Sequence, residues 1–346
     1  MLELLKRLGI EHPVILSPMG GGSGTPELAA AVSNAGGLGS LGVAYLTPEQ
    51  IIESVRQTRA LTNRPINVNL FVGGVVVPSN FDSAPMLSIL SEVYASLGLA
   101  APPMPPQPRD TFAEQFEAVL EARPEVFSFT FGALDSLAIS KLRSRGIAIL
   151  GTATTVEEAE LLAESGVDAI VAQGAEAGAH RGTFSVPFDA AMFPTSQLVR
   201  QIAPFAPVIA SGGIMDGRDI RRMMDNGASA TQLGTAFLPS PESGASLAYK
   251  RALLATKTDT TVITRVFSGR PARGLRNEFI ARLEGREDVI LPYPIQNALT
   301  RAMRTAAAQL GNAGFLSLWA GQGVTRCRTM PAGELVKQLV AELASS

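Results

Sequence analysis

The sequence predicts an α/β protein whose main unit is a (βα)₈ barrel of the TIM type. Three observations predict it: short apolar runs recur along residues 13–235, glycines bound them at regular intervals, and helix-like stretches separate them. The chain has 346 residues, of which 46% are hydrophobic, so a large core is available. Because such barrels run to roughly 250 residues, repeats that span residues 13–235 favour a closed barrel over an open sheet.

The predicted strands follow from one repeated arrangement of a helix end, a glycine, a short apolar run and a second glycine. This arrangement occurs at 33–42, 144–153, 164–174 and 225–235. Helices commonly end at a left-handed glycine, and an apolar run between turn residues is typical of a parallel strand covered on both faces. All runs of this kind predict eight strands, at 13–18, 37–42, 66–71, 126–131, 148–153, 169–174, 207–212 and 230–235.

Threonines mark the starts of several helices between these strands. Thr25 precedes a proline, which suits the first turn of a helix. Thr47 with Gln50, and Thr155 with Glu158, have the spacing of a capping box, in which hydroxyl and carboxyl or amide each satisfy a free backbone N–H group. The strands therefore alternate with helices, as the barrel requires.

Two stretches depart from the repeat. Residues 73–111 are rich in proline and predict an extended excursion beside a short helix, acting as either a lid or a surface strap. After residue 240, helix-like stretches near 242–256, 296–310 and 333–344 alternate with loop-like ones such as 265–277. We expect residues 1–240 and about 315–346 to form the barrel, with a smaller, mainly helical lid or substrate domain at about 241–314, inserted before the C-terminal helix.

Charge and residue counts exclude several classes of function. Lys and Arg number 29 and Asp and Glu 31, so no basic field attracts nucleic acid or an anionic membrane. The first residues lack a long apolar stretch, and a cytoplasmic protein is the expectation. One cysteine, Cys327, excludes an internal disulfide, and two histidines, His12 and His180, are too few for an ordinary zinc site. We expect no metal.

Glycines at strand ends indicate a phosphate site. Barrel enzymes place their chemistry at the carboxyl ends of the strands. Gly212 and Gly213 follow the seventh strand and Gly234 follows the eighth, so backbone N–H groups there approach a ligand closely. A single such turn is also an ordinary tight turn, but two at adjacent strand ends favour a phosphate-bearing ligand.

Side-chain amides lie at the same predicted rim. Asn69, Gln173 and Gln232 each end an apolar strand, where an unpaired amide costs on the order of 1–3 kcal/mol. Each alone is equally consistent with a hydrogen bond to a neighbouring loop. Together they favour a flat heteroaromatic ligand rich in donors and acceptors, such as an isoalloxazine ring.

His180 is the candidate for imidazole chemistry. It lies in a glycine-rich loop after the sixth strand, whereas His12 precedes the first strand at the opposite end of the barrel. Glu176, in the same loop, is interpreted as a structural partner of nearby donors, and Cys327 as an inert thiol. Any reaction here that needs an imidazole must therefore use His180.

Several motifs together resemble the nitronate monooxygenases, formerly called 2-nitropropane dioxygenases. The motifs are SPMGG (17–21), QGAEAGAHRG (173–182), ASGGI (210–214), QLGTAF (232–237), FSGRPARG (267–274) and LWAGQG (318–323). The resemblance runs along most of the chain. It implies a barrel that binds FMN without a covalent link, a second domain closing over the barrel mouth, and a last helix that returns to the barrel.

The resemblance also implies roles for individual residues. The flavin contacts would fall on Met19, Gly20, Asn69, Gln173, Gly178, Gly212, Gly213, Gln232, Leu233, Gly234 and Thr235. The catalytic histidine would be His180, and Tyr293 resembles a substrate-side residue of one branch. Ala179 departs from the pattern, because related sequences usually have a glycine before the histidine.

The implied reaction is oxidation of an alkyl nitronate, or a nitroalkane, by O₂ to a carbonyl compound and nitrite. His180 would hold the nitronate oxygens or remove the α-proton of a neutral nitroalkane. Two alternatives stay open: an FMN-dependent NAD(P)H reductase of enoyl thioesters or quinones, and a flavin-binding protein without turnover. The expected partners are the small-molecule nitronate and O₂, with no nucleic acid and no membrane, and we leave a homodimer open.

Overall fold

Eight parallel strands form the centre of the molecule. The computed structural model describes residues 2–73, 81–105 and 108–346. Besides the eight parallel strands, the described residues contain three short strands of a second sheet, β7, β10 and β11. In chain order the strands are β1 (Val14–Leu16), β2 (Gly39–Gly42), β3 (Ile66–Phe71), β4 (Val126–Thr130), β5 (Ala148–Ala153), β6 (Ala169–Gln173), β7 (Ala179–His180), β8 (Val208–Ser211), β9 (Ala230–Leu233), β10 (Thr261–Thr264) and β11 (Ala272–Leu275).

Helices cover the strands and form most of the remainder. They are α1 (Leu2–Leu8), α2 (Pro26–Asn34), α3 (Pro48–Leu61), α4 (Ala84–Ser96), α5 (Phe112–Ala122), α6 (Ser136–Arg143), α7 (Val156–Ser165), α8 (Thr195–Ile202), α9 (Gly217–Asp225), α10 (Leu247–Ala255), α11 (Glu278–Arg282), α12 (Ile295–Gln309) and α13 (Ala332–Ala344). None of these described helices is long and apolar enough to span a membrane.

The parallel strands close into a barrel. Their order is β1-β9-β8-β6-β5-β4-β3-β2, and every pair is parallel. The two end strands meet through a parallel bridge between Ile15 and Leu38, where the backbone N–H of Leu16 donates to the carbonyl of Leu38. Each of the eight predicted strands is present, so the predicted (βα)₈ barrel is confirmed. The strands are buried on both faces, as their apolar runs indicate.

Helix starts agree with the predicted caps, with one correction. The hydroxyl of Thr25 accepts the N–H of Leu28, and Thr47 forms a complete capping box with Gln50. Thr155 caps α7, but the reciprocal half of its predicted box is wrong, because the Glu158 carboxylate instead accepts the backbone N–H of Thr154. The other carboxylate oxygen of the buried Glu158 accepts the backbone N–H groups of Phe184 and Ser185 in the loop after His180.

The C-terminal helix returns to the barrel. In α13 the side chains of Leu335, Val336 and Leu339 are fully buried in the barrel core, where the helix packs against α2 and α9. The backbone N–H of Gly217 at the start of α9 donates to the Glu342 carboxylate at 2.9 Å. This helix therefore completes the outer ring, as the resemblance implies.

A second hydrophobic cluster lies beside the barrel core. It is built mainly from α10, α11 and α12 and also includes α4 of the proline-rich excursion, whose Tyr94 hydroxyl donates to the Leu299 carbonyl at 2.6 Å. The predicted short helix is thus a 13-residue element packed on this cluster. Residues 74–80 and 106–107 of the excursion lie outside the described residues. The domain boundaries stay a prediction.

A small antiparallel sheet joins the two parts and was not predicted. Its order is β10-β11-β7, in which Ala272 lies opposite His180 and Arg273 opposite Ala179. The interpretation of 265–277 as a loop is therefore wrong for residues 272–275. The strand is buried along its whole length, yet it contains an arginine and a glycine. Its sequence therefore shows neither an apolar run nor the alternation of apolar and polar residues by which strands are predicted.

Candidate active site

A cavity of about 730 Å³ opens at the carboxyl ends of the barrel strands. Its size is typical of a site for a small molecule or cofactor. The predicted residues that line it are Met19, Gly20, Asn69, Gln173, Gly178, His180, Gly212, Gly213, Gln232, Leu233, Gly234 and Thr235. Residues far apart in the sequence therefore meet at one rim, as the strand-end argument predicts.

Tyr293 borders an adjoining cavity of about 550 Å³ instead. Its ring centroid lies 6.3 Å from that of His180. The two cavities share wall residues, including Tyr45, Phe131 and Arg301. The structure thus places Tyr293 beside the histidine, at the boundary between the cavities.

The glycine turns after β8 and β9 present free backbone donors to the cavity. Within the described residues, no acceptor pairs with the backbone N–H groups of Gly213 and Gly234. Gly213 has a φ of +72°, a left-handed conformation that glycine adopts without strain. Asp216 accepts the N–H of Asp219, so the start of α9 already has a carboxylate cap. A phosphate here would use the turn N–H groups rather than the end of α9.

The three predicted amides have different partners. Asn69 donates to the Ser128 hydroxyl at 2.9 Å, and Gln232 lies 3.5 Å from the Ser211 hydroxyl. Gln173 donates to the carbonyl of His180 at 3.0 Å and accepts the N–H of Gly182 at 2.8 Å. Gln173 therefore anchors the histidine loop, in addition to lining the cavity.

Buried charged groups hold the loop that carries His180. Arg181 is 2% exposed and donates to the carbonyls of Gln173, Gly174 and Ala191. The fully buried Glu158 accepts the N–H groups of Phe184 and Ser185 just beyond it. Sequence reasoning assigned neither residue to the site. In the sequence, Glu158 shows only the spacing of a helix cap and Arg181 only its place in the motif QGAEAGAHRG.

Glu176 and Gly178 fix the same loop against its neighbours. Glu176 accepts the N–H and hydroxyl of Thr195, which confirms its interpretation as a structural partner. A Cβ at Gly178 would lie 2.5 Å from the backbone nitrogen of Gly321, so only glycine permits this approach. The loop and the segment 318–323 are consequently in backbone contact.

His180 is half-buried, and its Nε2 atom lies 2.8 Å from the Ser268 hydroxyl. Burial, followed by the positive charges of Arg270 and Arg304, lowers the pKa of His180 to about 3. The rings of Phe131 and Trp319 lie 6.3 and 5.7 Å from its own. The side chain is therefore a neutral imidazole in an aromatic pocket at neutral pH. His12 lies at the opposite end of β1, as predicted.

Positive charge accumulates around this pocket. Arg301 and Arg304 line the first cavity, and Arg270 lies over the Phe131 ring with its guanidinium carbon 3.6 Å from the ring centroid. In the described part of the chain none of the three forms an ion pair with a carboxylate. Such a pocket suits an anionic ligand.

The matching family model is nitronate monooxygenase, over residues 3–342. This chain belongs to the nitronate monooxygenase family. The family consists of flavin-dependent oxidoreductases. A "Nitronate monooxygenase" of Pseudomonas aeruginosa is 44% identical over 345 residues, covering 97% of each chain. A "Probable nitronate monooxygenase" of Staphylococcus saprophyticus is 40% identical over 343 residues, 97% of this chain and 95% of that protein.

Solved structures share the fold. A nitroalkane oxidase from Streptomyces ansochromogenes superposes with a TM-score of 0.90 and 38% identity, covering 99% of this chain and 98% of that one. FabK from Thermotoga maritima superposes with a TM-score of 0.74 and 25% identity, covering 99% and 96%. Membership of the nitronate monooxygenase family therefore agrees with both sequence and architecture.

Proposed function

We propose that this member of the nitronate monooxygenase family binds FMN in the first cavity without a covalent link. The N–H groups of Gly213 and Gly234, which meet no acceptor among the described residues, support a phosphate position between β8 and β9. Asn69 and Gln232, with Met19 at the adjacent wall, would contact the ring. A cavity of about 730 Å³ is large enough for such a ligand.

The proposed reaction is oxidation of alkyl nitronates by O₂ to a carbonyl compound and nitrite. The observation that carries it is the set of arginines near His180 that have no carboxylate partner in the described part of the chain, because a nitronate is an anion. Bound FMN would supply the redox chemistry, while the protein positions the substrate. Arg301 and Arg304 would hold the negative charge of the nitronate next to the imidazole.

His180 would act in one of two ways, according to the substrate. Toward a nitronate, which has already lost the α-proton, the neutral ring would only border the substrate, and Arg301 and Arg304 would hold its oxygens. Toward a neutral nitroalkane, the unprotonated ring nitrogen would accept the α-proton. The low pKa of His180 keeps the ring in the form that can accept a proton at neutral pH.

We further propose that the segment of about 241–314, together with α4, is a lid over the cavity. Its hydrophobic cluster is distinct from the barrel core, and Asn297 and Arg301 of α12 line the cavity. The lid would exclude water from the substrate. The homodimer and the cytoplasmic location stay predictions.

The cofactor proposal is tested by the purified protein and one glycine variant. We expect a yellow protein that releases intact FMN, identified by chromatography, on heating or acid treatment. Gly213→Val should lower FMN affinity, because the side chain crowds the turn. Gly146→Val is the matched control, since Gly146 has a φ of +73° in open space away from the cavity. A colourless protein that takes up no FMN contradicts the proposal.

The reaction proposal is tested by anaerobic mixing with a panel of nitronates and, separately, with NADPH. Nitronates should bleach the flavin and NADPH should not; the reverse result would establish a reductase. His180→Asn should lower turnover of neutral nitroalkanes by roughly 10²–10⁴ and affect preformed nitronates less. His12→Asn, at the only other histidine, is the control. Native rates in His180→Asn at equal flavin content would make His180 structural.

A further inference from the structure

Ser268 lies directly behind the candidate base. Its hydroxyl is 2.8 Å from Nε2 of His180, and the residue is 1% exposed. The pairing of Ala272 with His180 in the small antiparallel sheet fixes the two segments against each other. Ser268 lines neither described cavity, so it contacts the histidine without facing a ligand. The FSGRPARG motif contains this serine, but no role followed from the sequence.

The Ser268 hydroxyl has more hydrogen-bond partners than its single proton can serve as a donor. It lies 3.1 Å from the carbonyl oxygen of Arg270 and accepts the backbone N–H of Arg270 at 3.3 Å. The hydroxyl proton goes either to that carbonyl or to Nε2 of His180. The position of this one proton decides which nitrogen of the imidazole is protonated.

The two arrangements satisfy different numbers of groups. In the first arrangement the Ser268 hydroxyl donates to the Arg270 carbonyl and its oxygen accepts both Nε2–H of His180 and the backbone N–H of Arg270, so three hydrogen bonds form. With the proton directed at Nε2, only two form, and the Arg270 carbonyl loses the one donor that it has among the described residues. Satisfaction of buried polar groups therefore favours the Nε2–H form.

The groups around the imidazole of His180 favour its neutral form, which carries one ring proton. Arg270 and Arg304 are positive and oppose a second proton, and the remaining titratable neighbour is the Tyr293 hydroxyl. Phe131 and Trp319 do not titrate. No protein group among the described residues hydrogen-bonds Nδ1 of His180. When Nε2 carries the ring proton, Nδ1 is unprotonated and can accept a proton from a ligand.

We propose that Ser268 is a positioning residue that holds His180 as the Nε2–H tautomer, which makes Nδ1 the basic nitrogen. The catalytic use of that nitrogen rests on the proposed function, but the tautomer itself does not. Replacing the serine by alanine leaves a buried Nε2–H group without an acceptor. The ring proton should then move to Nδ1, where water can accept it.

Nitrogen-15 NMR of the holoenzyme tests the tautomer directly. In a His12→Gln background only one imidazole remains, so its signals need no further assignment. The couplings from Hε1 and Hδ2 should show protonated Nε2 and bare Nδ1, and Ser268→Ala should shift the proton to Nδ1. Ser268→Thr, which keeps the hydroxyl, should retain the native pattern. Protonated Nδ1 in the native protein, or an unchanged tautomer in Ser268→Ala, overturns the proposal.

Kinetics separates positioning from a structural role. Ser268→Ala should lower kcat/KM for a neutral nitroalkane by about tenfold, the usual effect of one hydrogen bond lost by a buried donor, with less effect on a preformed nitronate. Ser240→Ala is the control, because it also removes a buried hydroxyl, one without a partner among the described residues. An equal loss for both substrates, accompanied by flavin loss, contradicts positioning. If the native protein oxidises no nitro compound, the reaction proposal fails while the NMR result still decides the role of Ser268.

Discussion

Ala179 holds a backbone conformation that its side chain disfavours. Its φ is +62°, in the left-handed region, and the adjacent residue is His180. A Cβ in this region costs roughly 1 kcal/mol relative to glycine. We expect Ala179→Gly to raise the free energy of unfolding by about 0.5–1 kcal/mol, measured by chemical denaturation of the flavin-bound protein.

Ala177 supplies the control for that prediction. It lies in the same loop, is 6% exposed, and is not among the described residues with positive φ. Ala177→Gly removes a buried methyl group and adds chain entropy to the unfolded state, so it should destabilise the protein. Equal effects of both substitutions would show that the strain at Ala179 is not relieved by glycine.

The acid limb of the pH profile depends on His180. Its pKa is lowered to about 3 from 6.5 by burial and then by Arg270 and Arg304. Because the neutral ring is the base, kcat/KM for a neutral nitroalkane should persist well below pH 6.5. Arg304→Met should move the limb to higher pH, whereas Arg251→Met, at an exposed arginine of α10, should not. A native limb at pH 6.5 would contradict the lowered pKa.

The same pKa shift links pH to stability. The unfolded chain protonates this histidine near pH 6.5, before the folded chain does. The favourable contribution of the neutral ring is therefore complete above pH 6.5 and is lost as pH falls toward 3. Chemical denaturation of the native protein and of His180→Asn at pH 8 and pH 5 should show this loss in the native protein alone.

At the scale of elements, Glu158 joins the start of α7 to the loop that follows His180. Its carboxylate accepts the N–H groups of Thr154, Phe184 and Ser185, and it is completely buried. Glu158→Gln replaces one acceptor oxygen with an amide donor that faces donors. We expect a loss of about 1–3 kcal/mol in unfolding free energy and faster hydrogen exchange at 182–185. The exposed Glu157→Gln should change neither measurement.

The small sheet is the element that turns a barrel loop into a site. Strand β11 holds His180 in register, and Arg270 just before it donates to the carbonyl of Thr183. Helix α12 brings Arg301 and Arg304 to the same cavity. The orientation of the candidate base is consequently set by residues nearly a hundred positions away in sequence.

At the scale of the whole molecule, the two hydrophobic clusters predict different responses to a ligand. Binding of a nitro compound should slow amide hydrogen exchange in α4 and in segments of 241–314, because the proposed lid covers the ligand. Helix α6 on the outer surface of the barrel should be unaffected and serves as the internal reference. Uniformly slow exchange in 241–314, unchanged by the ligand, would contradict a mobile lid.

Local pattern was enough to predict the barrel. Each strand from 13–18 to 230–235 is a short apolar run bounded by turn residues, and each strand end faces the same rim in a parallel barrel. The sequence therefore also predicts that one rim carries Asn69, His180, Gly213 and Gln232. Such predictions succeed because they depend on periodicity and topology alone.

Only the tertiary structure decided what surrounds those residues. The pairing of β11 with β7 and the Ser268 contact to His180 join segments distant in sequence. Helix α12 brings Arg301 and Arg304, which form no ion pair with a carboxylate among the described residues, to the same cavity. A serine or arginine in a loop-like stretch has no local pattern that shows its partner, since burial and hydrogen bonding are set by packing. The sequence by itself thus determined the barrel and its rim, whereas the packing of 241–323 onto that rim decided the charges and hydrogen bonds around His180.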